Sequence, residues 1–175
     1  MQGAFTTIAK SKIPTIALAH GFCIGGATSL VSACDIRLAT KDANFSIGET
    51  KLGLVADVGV IQRMPNIVSS GDMNELALTG RIFDGEHAEK IRFVSKVYEN
   101  SDDLFEAGEK LANEISSNSK RIVQATKEAL EKSSNLTVDQ GLEYAKLWST
   151  SFLVSEDLRE GVMAFLEKRD PKFNE

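Results

Sequence analysis

The sequence predicts an α/β fold in which strand–turn–helix units come first and a run of amphipathic helices comes last. Three observations predict it. Short apolar runs rich in β-branched residues and bounded by glycine recur through residues 1–100. A Gly-Gly pair joins one of these runs to a helical pattern. From Ser101 onward the apolar residues fall at helical spacing. Strand and helix alternation followed by helices argues for α/β layers with an appended helical region, which divides the chain into 1–100 and 101–175.

The elements follow in order. Phe5, Ile8 and Ala9 predict a short helix over residues 3–11, and Pro14 stops it. IPTIALAHG (13–21) reads as a buried strand. CIGGATSLVSAC (23–34) reads as a tight turn into a helix, and DIRLAT (35–40) and NFSIGE (44–49) as two strands around the turn KDA. Met73 to Leu78 is helical, RIFDGEHAEKI (81–91) holds a short helix, and FVSKVYE (93–99) is a further strand. In the last third, Ser101, Asp102 and Asp103 make a favourable helix start. Leu104, Ala107, Leu111, Ala112 and Ile115 form one apolar face, and Ile122, Thr126, Ala129 and Leu130 form the next. Thr137 and Gln140 match a capping box ahead of a helix through Leu142, Ala145, Trp148 and Phe152. A last helix carries Leu158, Val162, Phe165 and Leu166 on one face, with Pro171 to end it.

Composition excludes several function classes. The 175 residues are 42% hydrophobic and 26% charged, ordinary for a soluble globular domain with a real core. The formal net charge is -5, from 20 Lys and Arg against 25 Asp and Glu, a poor balance for binding nucleic acid or an anionic membrane. Cys23 and Cys34 form no zinc or redox spacing, so free thiols in a reducing compartment are expected, and no metal site. No apolar stretch reaches the roughly 18 residues of a spanning helix. MQGAFTTIAKSK is too polar for a signal peptide, and KFNE is neither a lipidation signal nor a peroxisomal address. The chain is expected to be soluble, with cytoplasm, mitochondrion and peroxisome all open.

Chemistry concentrates in GETKLGLVADVGVIQRMP, residues 48–65, where Glu49 and Asp57 stand in an otherwise apolar, glycine-dotted stretch. Glu49 ends the apparent strand NFSIGE. Asp57 has Leu54, Val55, Val58 and Val60 around it, and a carboxyl in apolar surroundings suits proton transfer. An equally good reading makes Asp57 the N-cap of a helix VGVIQRM. Upstream, FCIGGATSL places exposed amides between a strand and a helix, where an oxyanion or phosphate can bind; tight strand–helix packing is the plainer reading. His20 is read as packed or hydrogen-bonded, His87 as exposed, Cys23 as a small buried residue, and Asp35 and Arg37 as structural partners. Lys168, Arg169 and Lys172 read as a solvated helix end that could also meet phosphates.

Taken together, AHGFCIGGATSLVSACDIRLAT, NFSIGETKLGLVADVGVIQRMP and EGVMAFLEKRDPKF, in that order, resemble the crotonase (enoyl-CoA hydratase/isomerase) superfamily over nearly the whole chain. Within it, GLVADVG with an acid at Asp57 is similar to the Δ3,5-Δ2,4-dienoyl-CoA isomerases; ordinary hydratases usually have glycine there. The resemblance implies a spiral of ββα units, here partial, with C-terminal helices that mediate trimer contacts, commonly in a dimer of trimers. It implies an acyl-CoA thioester substrate of fatty-acid β-oxidation and no separate cofactor, coenzyme A being part of the substrate. Gly26 matches an oxyanion-hole amide, Glu49 a catalytic acid/base, and Asp57 the second acid/base of the dienoyl isomerases. Gly25, Ser29, Phe165 and Lys168 are then expected on the substrate. A Δ3-Δ2-enoyl-CoA isomerase using Glu49 alone, a hydratase-like enzyme, and a non-catalytic homologue that binds CoA esters or forms oligomers are the alternatives.

Three departures from the family pattern bear on this. Ser29 stands where hydratases carry glutamate and dienoyl isomerases usually aspartate, which disfavours water addition by two carboxylates. The resemblance lacks the family's N-terminal portion, on the order of a hundred residues and domain-sized in itself, which normally supplies the first strands, part of the adenine surface and the other oxyanion amide. Arg92 stands where the family often has glycine; if that position is left-handed, arginine costs on the order of 1 kcal/mol or more.

Overall fold

The computed structural model describes residues 1–173. The chain divides into two compact units: Met1–Ser11 with Thr15–Lys110, and Lys12–Pro14 with the stretch from Leu111.

The first unit opens with α1 (Gln2–Ala9), then β1 (Ile16–Ala19), β2 (Phe22–Ile24), α2 (Gly26–Ser32), β3 (Ile36–Thr40) and β4 (Asn44–Ser46). Neither β1 with β2 nor β3 with β4 forms a pair. β1 runs parallel to β3 with Ile16 opposite Ile36, and β2 runs parallel to β4 with Phe22 opposite Asn44. Parallel pairing needs a crossover, and α2 supplies it. Each ββα turn therefore stacks on the next and feeds two sheets. α3 (Val60–Arg63), α4 (Ser70–Thr79), β5 (Phe83–Asp84), α5 (Gly85–Lys90) and β6 (Lys96–Tyr98) complete the unit. The sheet orders are β1-β3-β6 and β2-β4-β5, with β5 antiparallel to β4. This is the α/β architecture expected, built as a partial crotonase-like spiral. β1 and β2 sit at open sheet edges, where Phe22 is 79% exposed.

The core lies under β4. Phe45, Phe83 and Phe93 are buried and mutually in contact, with ring centroids 5.4 to 6.1 Å apart. Ile47, Met64, Leu76 and Val94 close it. Arg37 and Asp35 hold backbone, as structural partners should. Arg37 donates to the carbonyls of Phe93 and Cys34 at 2.7 Å, and Asp35 accepts from the Thr15 N–H at 2.7 Å.

The second unit holds most of a helical run: α6 (Ser101–Ser116), whose first ten residues belong to the first unit, then α7 (Lys120–Ser133), α8 (Val138–Phe152) and α9 (Glu156–Glu167). The capping box is present. Thr137 Oγ1 accepts from the Gln140 N–H, and Gln140 Oε1 accepts from the Thr137 N–H at 3.0 Å. Several apolar side chains of this unit face outward, with Val154 93% and Phe165 83% exposed. No described helix is long and apolar enough to cross a membrane.

Some local expectations are corrected. β4 stops at Ser46, and Glu49 lies on a 3₁₀ turn, Gly48–Leu52, because the Thr50 hydroxyl donates to the Ala77 carbonyl and draws the chain toward α4. α6 starts at Ser101 with Asp102 and Asp103 in its first turn, as expected, and Asn100 caps it, its Oδ1 accepting from the Asp103 N–H at 2.9 Å. α9 ends at Lys168 in a left-handed conformation (φ 54°), before Pro171 can act. His87 is half-buried, edge-on to Phe83, rather than exposed. The C-terminal cations are not simply solvated: Arg169 pairs with Glu160 and Glu167 at 2.6 Å.

Candidate active site

Gly25 and Glu49 build the centre of the site. Gly25 ends the β2 turn and caps α2 with φ 58° and ψ -114°, a conformation open to glycine and strained for other residues. Its N–H donates to the Ser46 carbonyl at 2.8 Å, which fastens the start of α2 to the end of β4. The 3₁₀ turn then brings the Glu49 carboxylate directly onto Gly25, so that a Cβ there would stand 3.3 Å from Glu49 Oε1. Glu49 Oε2 is buried and has no hydrogen-bond partner among the described residues. A buried acceptor without a donor is costly and unusual, and at this position it faces the amide end of α2.

α2 contributes three further groups. Gly26 is its first helical residue, so its N–H has no acceptor within the helix. The space on its Cα is open, with no atom within 4 Å of where a Cβ would lie. Ser29, one helical turn on, is fully buried, and its hydroxyl has no hydrogen-bond partner among the described residues. Helical side chains lean toward the N-terminus, which aims Ser29 back along the Gly25–Gly26 face. Thr28, which the sequence reading passed over, is the local fastener. Its hydroxyl bridges the Cys23 and Ser46 carbonyls and accepts from the Ser46 N–H, tying β2, β4 and α2 together. Only the apposition of β2 and β4, remote in sequence, makes that role visible.

Asp57 follows on the segment after the 3₁₀ turn. It is not an N-cap, since α3 is capped by Gly59 and no side chain bonds the helix start. Nor are its surroundings apolar on every side: Asp57 is exposed, and Leu54 and Val55 beside it are exposed too. Its carbonyl accepts from Gln2 Nε2 at 2.6 Å.

Burial pushes the Cys23 thiol up, so it holds its proton and fits the reading of a small packed residue. His20 is exposed and meets Phe105 edge-on at 5.9 Å. Phe165 and Lys168 belong to the second unit. There Phe165 lines an apolar groove of about 550 Å³ with Ile122, Phe152, Leu158, Val162 and Phe173. No cluster of three potential metal ligands occurs among the described residues.

The arrangement is an amide donor at the start of α2 facing a glycine-backed carboxylate, with a second, exposed acid on the segment that follows. The family described as enoyl-CoA hydratase/isomerase matches residues 1–175. The chain belongs to that family. Among its relatives, the mitochondrial Δ(3,5)-Δ(2,4)-dienoyl-CoA isomerase of Dictyostelium discoideum is 48% identical over 172 residues, covering 98% of this chain and 59% of that protein. The peroxisomal enzyme of the same name from Arabidopsis thaliana is 43% identical, covering 99% and 62%. An enoyl-CoA hydratase structure from Bacillus anthracis superposes with a TM-score of 0.92 at 30% identity, covering 98% of this chain and 66% of that one. The chain thus spans about three-fifths of the length of these two isomerases.

Proposed function

We propose that the chain carries the proton-transfer centre of an isomerase that shifts the double bonds of an unsaturated fatty acyl-CoA, of the 3,5- to 2,4-dienoyl type. The observation that carries the reading is the Glu49 carboxylate, held on Gly25 with one oxygen buried and unpartnered. The 48% and 43% identities to dienoyl-CoA isomerases support it.

In this reading the thioester oxygen accepts from the Gly26 N–H. That bond strengthens as negative charge develops on the oxygen, which makes the proton on the adjacent carbon removable. Removal of the C2 proton leaves charge delocalised to C6, and a proton returned at C6 leaves the 2,4-diene. Glu49 and Asp57, eight residues apart in the segment that follows β4, serve the two ends. Ser29, which has no carboxylate, lines the substrate between them as a neutral hydroxyl, and its presence favours isomerisation over addition of water. Gly25 adds a substrate contact in the first unit, and coenzyme A enters as part of the substrate rather than as a cofactor. The outward apolar residues of α8 and α9 support assembly into a homotrimer or hexamer.

The test is to offer the purified chain a 3,5-dienoyl-CoA and follow the ultraviolet absorbance of the conjugated product. Full activity in Asp57→Asn would sink the two-carboxylate assignment. Ser29 also motivates a second reading, a homologue that binds CoA esters without turnover. Calorimetry that detects acyl-CoA binding beside a silent absorbance assay supports that one, and measurable turnover removes it.

A further inference from the structure

We infer that Arg63, together with Gln2 and Thr6 of α1, is a positioning clamp for the Asp57 carboxylate. The inference rests on the proposed role of Asp57 in proton transfer.

Residues 54–58 have no regular structure, so no helix or strand ladder fixes Asp57. Two other devices do. Buried residues alternate through the stretch: Ala56, Val58 and Val60 are in the core, and Asp57 between them is exposed. Two successive carbonyls, at Asp57 and just after it, are held from outside the segment. Gln2 Nε2 donates to the Asp57 carbonyl at 2.6 Å, and Arg63 Nη1 donates to the Val58 carbonyl at 3.3 Å. The same guanidinium reaches α1, where Nη2 donates to Thr6 Oγ1 at 3.3 Å.

Gly59 makes this possible. At φ 113°, a Cβ on Gly59 would lie 1.9 Å from Arg63 Nη1, so the guanidinium occupies the space a side chain would fill. The planar fork of arginine bonds two partners on fixed axes, which the single ammonium of lysine does not reproduce. Holding an acid within a fraction of an ångström matters for chemistry, since a displacement of about 1 Å can cost around 10²-fold in rate.

The experiment compares Arg63→Met, Arg63→Lys, Thr6→Val and Gln2→Ala in the full chain, each alone and in an Asp57→Asn background. Two quantities are read: hydrogen exchange of the backbone amides over residues 54–60, and kcat and KM on 3,5-dienoyl-CoA. Arg63→Met is expected to speed exchange about tenfold or more by freeing the segment locally. It should lower kcat by about tenfold with KM changed less than about twofold, as for a lost transition-state contact. Arg63→Lys should fail to restore either quantity, and Thr6→Val and Gln2→Ala should give smaller shifts in the same direction. With Asp57→Asn the kcat effect of Arg63→Met should disappear. Unchanged exchange overturns the clamp, and so does an equal kcat loss in the Asp57→Asn background, because a merely structural residue acts whether or not the acid is there. If Arg63→Met does not fold, Thr6→Val and Gln2→Ala carry the same comparison. If the parent chain shows no dienoyl-CoA turnover, the functional reading fails on its own, and exchange alone decides the clamp.

Discussion

The Glu49 carboxylate rests on the bare Cα of Gly25, with Oε1 3.3 Å and Cδ 3.7 Å from where a side chain would begin. Any β-carbon at position 25 therefore meets two obstacles, the acid and a φ of 58° with ψ -114°. Gly25→Ala is expected to lose about 1–3 kcal/mol of stability from backbone strain. It should also displace Glu49 and lower isomerase turnover by about tenfold or more, as expected when a reacting group moves by part of an ångström. Urea unfolding and the absorbance assay check the two effects. An alanine variant with parental turnover would show that the Gly25–Glu49 contact does not set the geometry of the acid.

Glu49→Gln separates chemistry from folding. The lost oxygen has no hydrogen-bond partner to abandon, so no bond of the fold is broken. Turnover is expected to fall by about 10²–10⁴, the usual range for a general acid–base group, with stability changed by less than about 1 kcal/mol. A large drop in unfolding midpoint would mean that the carboxylate is a structural anchor.

Thr28→Val tests the fastener behind the site. The substitution keeps the shape and removes the hydroxyl that bridges the Cys23 and Ser46 carbonyls. The Ser46 carbonyl keeps the Gly25 N–H, so losing the Thr28 bonds is expected to cost about 0.5–1.5 kcal/mol, read as a lower urea midpoint at unchanged slope.

Strand–turn–helix alternation and the helical run were legible because both follow from periodicity and turn chemistry, as with the capping box at Thr137, whereas β2 (Phe22–Ile24) hides in a stretch that reads as a turn, so the ββα order came only with the family resemblance. Glu49 and Gly25 were readable as candidates, but their contact was not, since it depends on a 3₁₀ turn that the pattern NFSIGE disguises as the end of a strand. Asp57 shows the same limit. Its apolar neighbours in sequence point to burial, yet alternate ones turn inward and leave the acid outside. The bonds of Thr28, Gln2 and Arg63 carry no local signature, because each partner comes from a segment remote in the chain or from a backbone carbonyl.

Arg92 holds φ 64°, the left-handed conformation expected if the family glycine is replaced. Arg92→Gly relieves a strain of about 1–2 kcal/mol. Glycine also adds freedom to the unfolded chain, which offsets about 0.4–1 kcal/mol of that gain. The net expectation is a modest rise in urea midpoint with unchanged turnover. A fall would mean that the exposed arginine makes a compensating interaction.

At the end of α9, Arg169 Nη1 donates to Glu160 Oε1 and Nη2 to Glu160 Oε2, at 2.6 and 3.0 Å, and the Lys172 N–H donates to Oε1 at 2.7 Å. These bonds, the guanidinium's first, lower the Glu160 carboxyl to about 2. A carboxyl whose folded value is depressed stabilises the fold above its unfolded value, near 4.3, and that contribution fades as pH falls toward the folded value. Between about pH 4.5 and 2 the parent chain should therefore lose stability faster than Glu160→Gln, which has no carboxyl to protonate there. Thermal unfolding of both proteins across that window checks it. Parallel curves would mean that the Glu160–Arg169 pair forms no more strongly in the folded chain than in the unfolded one.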